Sequence, residues 1–266
     1  MTVCIAAICE ERKSLVLAAD QMATMSHVVR EQEGSHKILE ISDKIYMLTA
    51  GDAIAAKTVF TEVFEQVDKI KTVEDAVELA KQAYINVHLT RAQSLVLVPR
   101  GLNFDNYNAS QRNLDPNIVS LIDQSLAQFR LDVLLIIAGI NPDGEAKVYE
   151  VDPPGISGEF DTFCITGSGD SHATNSLYAR NYSASMTKEE ALYLVFEAKT
   201  RSEVAPGVGS KTDLYLVGGD DTKIYTDEEL RAYKDLYEKV TEQEQTLLKK
   251  KLEEHNGDEE GDENDK

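Results

Sequence analysis

Two apolar runs separated by a charged turn open the chain. Residues 4–9 and 14–20 are almost wholly apolar up to a closing carboxylate at Asp20, and the four residues 10–13 between them are all charged. Apolar runs of this length, bounded by polar residues, predict buried β-strands. The turn is short, so the two strands are expected to pair in antiparallel fashion.

Further strand-like runs follow the same pattern. They lie at residues 37–41 with 45–51, at 132–139 with 146–152, at 160–166, and in a last hairpin at 212–217 with 223–225. Apolar residues at helical spacing occupy most of the intervals between these runs, and two capping pairs, Thr72 with Asp75 and Thr187 with Glu190, mark helix starts. Residues 89–131 are interpreted as the end of the second helix interrupted by an excursion. In that excursion residues 96–101 resemble the end of a strand and residues 118–129 have helical spacing.

The order of elements is strands, two helices, strands, two helices, strands. This order predicts an α+β fold, a four-layer αββα sandwich in which two antiparallel sheets lie between helical layers. The expected organisation is a folded domain at 2–226, a helical extension at 227–252 and an acidic tail at 253–266. The tail combines many carboxylates with glycine, which predicts disorder.

Charge and cysteine content narrow the range of partners. The 266 residues include 27 basic and 47 acidic ones, a net charge of −20, which disfavours nucleic acid and anionic membranes as partners. Cys4, Cys9 and Cys164 lie in apolar runs without metal-ligand spacing, so reduced thiols, no metal and no cofactor are expected. No leader and no apolar run of about 18 residues is present, so we expect a cytoplasmic protein.

Thr2 is the first residue with a chemical possibility of its own. Removal of Met1, which is expected before a small residue, would leave Thr2 as the chain terminus. Its α-amine would then have an unperturbed pKa near about 8 and could act as a base at neutral pH. A threonine hydroxyl beside its own amine is a known form of activated nucleophile.

Five short segments together resemble a known family. They are the opening strand with Thr2, residues 18–24, residues 37–41, residues 49–51, and the Gly-Ser-Gly turn at 167–169. In this order they resemble the proteasome β-type N-terminal nucleophile (Ntn) hydrolases, over about residues 2–225, with features of an outlying, Anbu-like branch. The resemblance implies the αββα fold and hydrolysis of an amide bond through an acyl-enzyme.

The resemblance also implies a role for each matching residue. Thr2 would be the nucleophile with its amine as the base, and Lys37 would direct its ammonium at the Thr2 hydroxyl. Asp20 would pair with Lys37 and fix its position. The Gly51 amide would stabilise the oxyanion, and Ser168 would assist proton transfer near the amine.

Substrate and partner assignments follow from the same resemblance. Ala23, Thr24, Thr49 and Ala53 would lie around the substrate channel, with Thr24 bonding an extended peptide backbone and Thr49 at the base of the specificity pocket. The implied partners are a polypeptide or peptide substrate, further copies of the chain in a ring or open spiral, and an unidentified unfoldase.

Three departures from the family pattern leave a second hypothesis open. The interval from Thr2 to Asp20 is two residues longer than usual, and the segment 89–131 is also longer. Residues 202–210 lack the aspartate and serine that support the terminal amine in the family, although Glu203 or Ser210 is a potential substitute. The leading hypothesis is an N-terminal threonine peptidase, and the alternative is a non-catalytic assembly or scaffold subunit of the same fold.

A serine hydrolase built on Ser168 or Ser171 with His172 is a third interpretation. These residues are neighbours in sequence, and no Gly-x-Ser-x-Gly elbow surrounds either serine. Sequence neighbours rarely face one another, so this interpretation is disfavoured.

Overall fold

The computed structural model describes residues 2–25, 28–30 and 36–261. Strands and helices are numbered in chain order. The first sheet contains, in spatial order, β10 (Phe163–Thr166), β1 (Cys4–Cys9), β2 (Ser14–Asp20), β11 (Thr212–Val217) and β12 (Thr222–Ile224). The second contains β5 (Ile38–Ser42), β6 (Ile45–Gly51), β7 (Val133–Ile140), β8 (Ala146–Asp152) and β9 (Ile156–Glu159). A separate hairpin is formed by β3 (Ala23–Met25) and β4 (Val28–Arg30).

Both sheets are antiparallel and each is covered by a pair of helices. The second sheet packs against α1 (Ala53–Phe64) and α2 (Val73–Ala92), and the first packs against α5 (Asp170–Ala179) and α6 (Lys188–Arg201). Both predicted capping boxes are present, at the starts of α2 and α6. The predicted four-layer αββα sandwich is confirmed. Strand β9 was not predicted.

Strand β1 lies at the centre of the layers and is buried on both faces. Cys4, Ala6 and Ile8 belong to the core between the two sheets. Because side chains alternate along a strand, Ile5 and Ala7 point to the opposite face, towards the layer of α5 and α6. A second core, built around Val59, Tyr84 and Ile137 among others, fills the space between the second sheet and the helices α1 and α2.

Residues 93–128 form a helical excursion with its own small core. A π-helical turn (Gln93–Leu97) continues from α2, a 3-10 turn (Val98–Arg100) follows, and then come α3 (Phe104–Ser110) and α4 (Pro116–Gln128). The strand end suggested at 96–101 is therefore wrong. Val96 and Leu97 pack with Tyr107 and Ile122, so their apolar side chains serve a helical cluster rather than a sheet.

The chain divides into two units, Met1–Ile224 and Tyr225–Lys266. The second unit contains α7 (Asp227–Gly261). Thr226 caps the start of this helix: its hydroxyl accepts from the Glu229 amide, and the Glu229 carboxylate accepts from the Thr226 amide. The helix runs past the expected end at residue 252, because glutamates favour helices and Lys251 pairs with Glu254 at 2.7 Å. The disorder expected for residues 253–266 stays a prediction, and residues 262–266 lie outside the described ranges. No helix within those ranges is long and apolar enough to cross a membrane.

Candidate active site

Antiparallel pairing of β1 and β2 brings Thr2 and Asp20 to the same end of the first sheet. Cys4 pairs with Ala19, so the residue before β1 and the last residue of β2 are neighbours. The Val3 amide donates to Asp20 Oδ1 at 2.9 Å, and the Asp20 amide donates to the Val3 carbonyl at 3.2 Å. The Thr2 hydroxyl donates to the same Asp20 Oδ1 atom.

Lys37 reaches this point from the second sheet. It lies just before β5, and its carbonyl accepts from the Thr49 amide of β6 at 3.1 Å. Its buried side chain places Nζ 2.6 Å from Asp20 Oδ1, and Nζ also donates to Thr2 Oγ1. A hydroxyl, a carboxylate and an ammonium therefore converge within a largely enclosed space.

Asp20 is fully buried and well supplied with donors. Its second oxygen, Oδ2, accepts from the amides of Met22 and Gly209, each at 3.0 Å. Burial opposes ionisation of this carboxyl, but the Lys37 ammonium and the hydrogen bonds from Lys37, Thr2 and Gly209 outweigh burial and lower the pKa of Asp20 below its ordinary value. The carboxylate therefore stays charged at neutral pH.

The turn after β10 holds the backbone of Thr2. Ser168 Oγ accepts from the Thr2 nitrogen at 3.1 Å, and the Gly169 amide donates to the Thr2 carbonyl at 3.2 Å. Gly167 has a φ of 107°, and a β-carbon there would lie 2.3 Å from the Thr2 carbonyl oxygen. Only glycine fits this approach, because any side chain would displace Thr2.

Strand β6 carries the remaining predicted site residues of the second sheet. Thr49 is half-buried, and its carbonyl accepts from the Cys4 thiol at 3.4 Å. Burial raises the pKa of Cys4 to about 12 despite the opposing effect of Lys37, which keeps this thiol protonated. Gly51 ends β6 and Ala53 begins α1, both exposed. No hydrogen bond joins Gly51 to Thr2 within the described ranges.

The other predicted residues fall into two groups. Ala23 and Thr24 lie in β3, opposite Arg30 and Val29 of β4, and their side chains are outside the described part of the chain. Glu203 does not support Thr2, because its Oε1 accepts from Lys199 at 2.7 Å. Ser210 is exposed and makes no hydrogen bond to Thr2 where the chain is described.

The structure does not support the serine hydrolase interpretation. Ser168 bonds Thr2 and Pro206, while Ser171 and His172 are exposed on α5. No hydrogen bond joins either serine to His172 in the described residues.

Three residues near the site were missed from the sequence. Gly209 supplies an amide to Asp20, and Lys199 bonds the Gly209 carbonyl at 2.8 Å. Asp213 accepts from Gln21 Nε2 at 2.7 Å and lies 3.1 Å from His36 Nδ1, so it holds the residues next to Asp20 and Lys37. A signal existed for Lys199, which follows the inward-facing Val195 by four residues on a helix. No comparable signal existed for Gly209.

The arrangement suits nucleophilic chemistry better than metal chemistry. Among the described residues no cluster of histidine, cysteine, aspartate and glutamate could hold a metal ion. An ammonium beside a hydroxyl lowers the free energy of forming the alkoxide, and a buried carboxylate keeps the ammonium in place.

Comparisons with known proteins point the same way. A family model described as Proteasome subunit matches residues 116–200. The proteasome subunit beta of Methanocaldococcus jannaschii is 27% identical over 86% of this chain and 87% of its own length, and that of Methanosphaera stadtmanae is 27% identical over 83% and 89%. The proteasome subunit alpha of Aeropyrum pernix is 43% identical over 65 residues, 24% of each chain. Together with the sandwich fold, these matches support the assignment of the chain to the proteasome superfamily of N-terminal nucleophile hydrolases.

Proposed function

We propose that this protein is an N-terminal threonine peptidase that cleaves peptide or other amide bonds through an acyl-enzyme on Thr2. The observation that carries the proposal is the placement of Thr2 Oγ1 between Lys37 Nζ and Asp20 Oδ1. A structural role for the ion pair would not require a hydroxyl to bond both partners. Membership of the proteasome superfamily agrees with the proposal.

The reaction begins once Met1 has been removed and the Thr2 nitrogen is a free amine. Thr2 Oγ attacks the carbonyl carbon of the scissile bond, and its proton passes to the α-amine, directly or through Ser168 Oγ, which lies 3.1 Å from the nitrogen. Lys37 stabilises the developing alkoxide, and Asp20 balances the charge of Lys37.

Collapse of the tetrahedral intermediate breaks the C–N bond. The leaving amine takes the proton from the Thr2 amine, and the acyl group remains as an ester on Thr2 Oγ. Water activated by the same amine then attacks the ester, which releases the acid and restores the hydroxyl. The Gly51 amide is assigned to the oxyanion by resemblance to the family.

The substrate is expected to bind in extended form beside β3 and β6. Thr24 would bond its backbone, Ala23 and Ala53 would border the channel, and Thr49 would form the base of the pocket for the residue before the scissile bond. Association of several copies into a ring or open spiral, with a cytoplasmic location, completes the proposal. An unfoldase partner would supply unfolded polypeptide.

A non-catalytic assembly subunit is the second candidate. The lack of the family's supporting aspartate and serine in residues 202–210 favours this candidate. In that region Ser202 is buried, and its hydroxyl donates to the Lys199 carbonyl at 2.6 Å instead of turning to the Thr2 amine. Intact mass separates the two candidates cheaply. Retention of Met1 in the native protein would remove the base and favour the assembly role.

The decisive experiment is labelling with a β-lactone, a small electrophile that esterifies an activated threonine. We expect one adduct on Thr2, located by peptide mass spectrometry, and none in Thr2→Ala, with peptide turnover lost in parallel. The matched control is Thr58→Ala, an exposed threonine of α1, which should label normally. An adduct elsewhere, or turnover by Thr2→Ala, would refute the mechanism.

A further inference from the structure

A lysine buried in the first sheet's helical layer has no part in the chemistry above. Lys199 lies on α6 with none of its surface exposed. Its Nζ donates to the Gly209 carbonyl at 2.8 Å and to Glu203 Oε1 at 2.7 Å. Burying a lysine without charge compensation is strongly unfavourable, so its presence calls for a specific role.

The Gly209 peptide links Lys199 to Asp20 of the active site. While its carbonyl accepts from Lys199, its amide donates to Asp20 Oδ2 at 3.0 Å. Asp20 Oδ1 in turn accepts from Thr2 and Lys37. One residue therefore connects the buried ammonium to the carboxylate that fixes the nucleophile.

Gly209 can make this connection only because it lacks a side chain. A β-carbon there would lie 2.9 Å from Met22 Cβ and 3.4 Å from Asp20 Oδ2, so any larger residue would push the loop away from Asp20. The Gly209 carbonyl accepts its hydrogen bond from a charged donor, Lys199, and such a bond is about twice as strong as one from a neutral donor.

We propose that Lys199 is a positioning residue of the Thr2 site: by holding the Gly209 carbonyl it fixes the Gly209 amide against Asp20. Glu203, whose side chain is 31% exposed, compensates the charge of Lys199 from the solvent side. In this role the pair occupies the region where the family's supporting aspartate and serine are absent. The inference rests on the proposed function for its kinetic readout.

The pKa of Lys199 reflects its position close to Asp20 and Lys37. Burial lowers the pKa of Lys199 below its ordinary value, and Glu203 opposes this effect. Asp20 and Lys37 also act on the pKa of Lys199, in opposite directions, so the buried ammonium lies within the electrostatic field of the site.

The test compares Lys199→Met with Lys188→Met, a lysine at the start of the same helix that is only half-buried. Methionine keeps the length of the side chain and removes the donor. We expect Lys199→Met to slow the maximal rate of β-lactone labelling at Thr2 by on the order of tenfold to a hundredfold, with the half-saturating lactone concentration unchanged. Lys188→Met should label like the wild type. An unchanged maximal rate in a folded Lys199→Met protein would overturn the proposal.

A readout independent of activity separates this proposal from the proposed function. Hydrogen exchange at the Gly209 amide should be faster in Lys199→Met than in the wild type, even if the wild type takes no label. Absence of label on wild-type Thr2 refutes the peptidase proposal, whereas unchanged exchange at Gly209 refutes the positioning role. The two failures are therefore distinct.

Glu203→Gln covers the case in which Lys199→Met does not fold. This change leaves the volume of the pair intact and removes the carboxylate charge that holds the Lys199 ammonium in place, so the bond to Gly209 weakens. We expect about threefold slower labelling and faster exchange at Gly209. A Glu203→Gln protein that matches the wild type in both measurements would refute the positioning role by itself.

Discussion

Two buried carboxylates, Asp20 at the end of β2 and Glu197 on α6, show what distinguishes a candidate active site from a structural ion pair. Glu197 is almost fully buried and is bonded by Arg180 at 2.8 Å and by Arg201 at 2.6 Å. Asp20 is fully buried and bonded by Lys37 at 2.6 Å. Both carboxyls have a pKa held below the ordinary value, because favourable bonds outweigh the effect of burial.

The difference lies in the partners and not in the carboxylates. Arg180 and Arg201 are 30% and 41% exposed, so the Glu197 cluster reaches the solvent and ties helices α5 and α6 together. Lys37 is only 10% exposed, and its ammonium also bonds a hydroxyl, that of Thr2. A buried, perturbed carboxylate is therefore weak evidence of function until a nucleophile shares its partner.

The largest expected difference between the clusters concerns activity. Lys37→Met should reduce turnover and Thr2 labelling by at least about a thousandfold, because the alkoxide loses its nearest positive charge. Arg201→Met removes a cation from the Glu197 cluster and should leave both measurements close to the wild-type values. The comparison fails if the two variants have similar labelling rates while both remain folded by circular dichroism.

The next expected difference concerns stability. Asp20→Asn should lower the free energy of unfolding by about 3–5 kcal/mol, since it leaves the buried Lys37 without a charged partner. Glu197→Gln should lower it by about 1–2 kcal/mol, because its arginines are partly exposed and keep water as an alternative partner. Urea unfolding at neutral pH measures both values. Equal losses would mean that exposure of the partners is not what separates the clusters.

The layers of the fold and most residues of the Asp20 site could be predicted from the sequence. Thr2 was identified from its position after Met1, whereas Asp20, Lys37 and Ser168 were assigned through the resemblance of the segments that contain them to the proteasome family. The layers were predicted from alternation and helical spacing, which are local properties of a sequence.

Two of the missed residues, Gly209 and Asp213, depend on contacts that no local pattern encodes. Gly209 acts through its backbone amide, and the position of that amide is set by a loop packed on Met22. In the sequence Asp213 is an ordinary strand residue. Only the pairing of β11 with β2 places it opposite Ala19, next to Asp20. The excursion at 93–128 was read partly as a strand because the apolar run 95–98 is as compatible with a helical cluster as with a sheet.

A smaller effect is expected from acid. The folded protein holds the Asp20 proton less tightly than the unfolded chain, so its contribution to stability is fully present above the ordinary value of 3.8 and is lost as the pH falls through the lower folded value. The stability difference between wild type and Asp20→Asn should therefore be constant above about pH 5 and narrow below 3.8. A difference that widens on acidification would contradict the lowered pKa.

The smallest expected effect concerns specificity and extends the comparison to the substrate side of the Asp20 cluster. Thr49 belongs to the strand that bonds both Lys37 and Cys4, so a change in its side chain alters the pocket while the backbone contacts remain. Thr49→Ala should shift the ratio of kcat/KM between peptides with large and small residues before the scissile bond by about tenfold in favour of the large ones. Thr58→Ala, on the outer face of α1, should leave this ratio unchanged. If both variants keep the wild-type ratio, Thr49 does not form the pocket, and the strand serves only to hold Lys37 against Thr2.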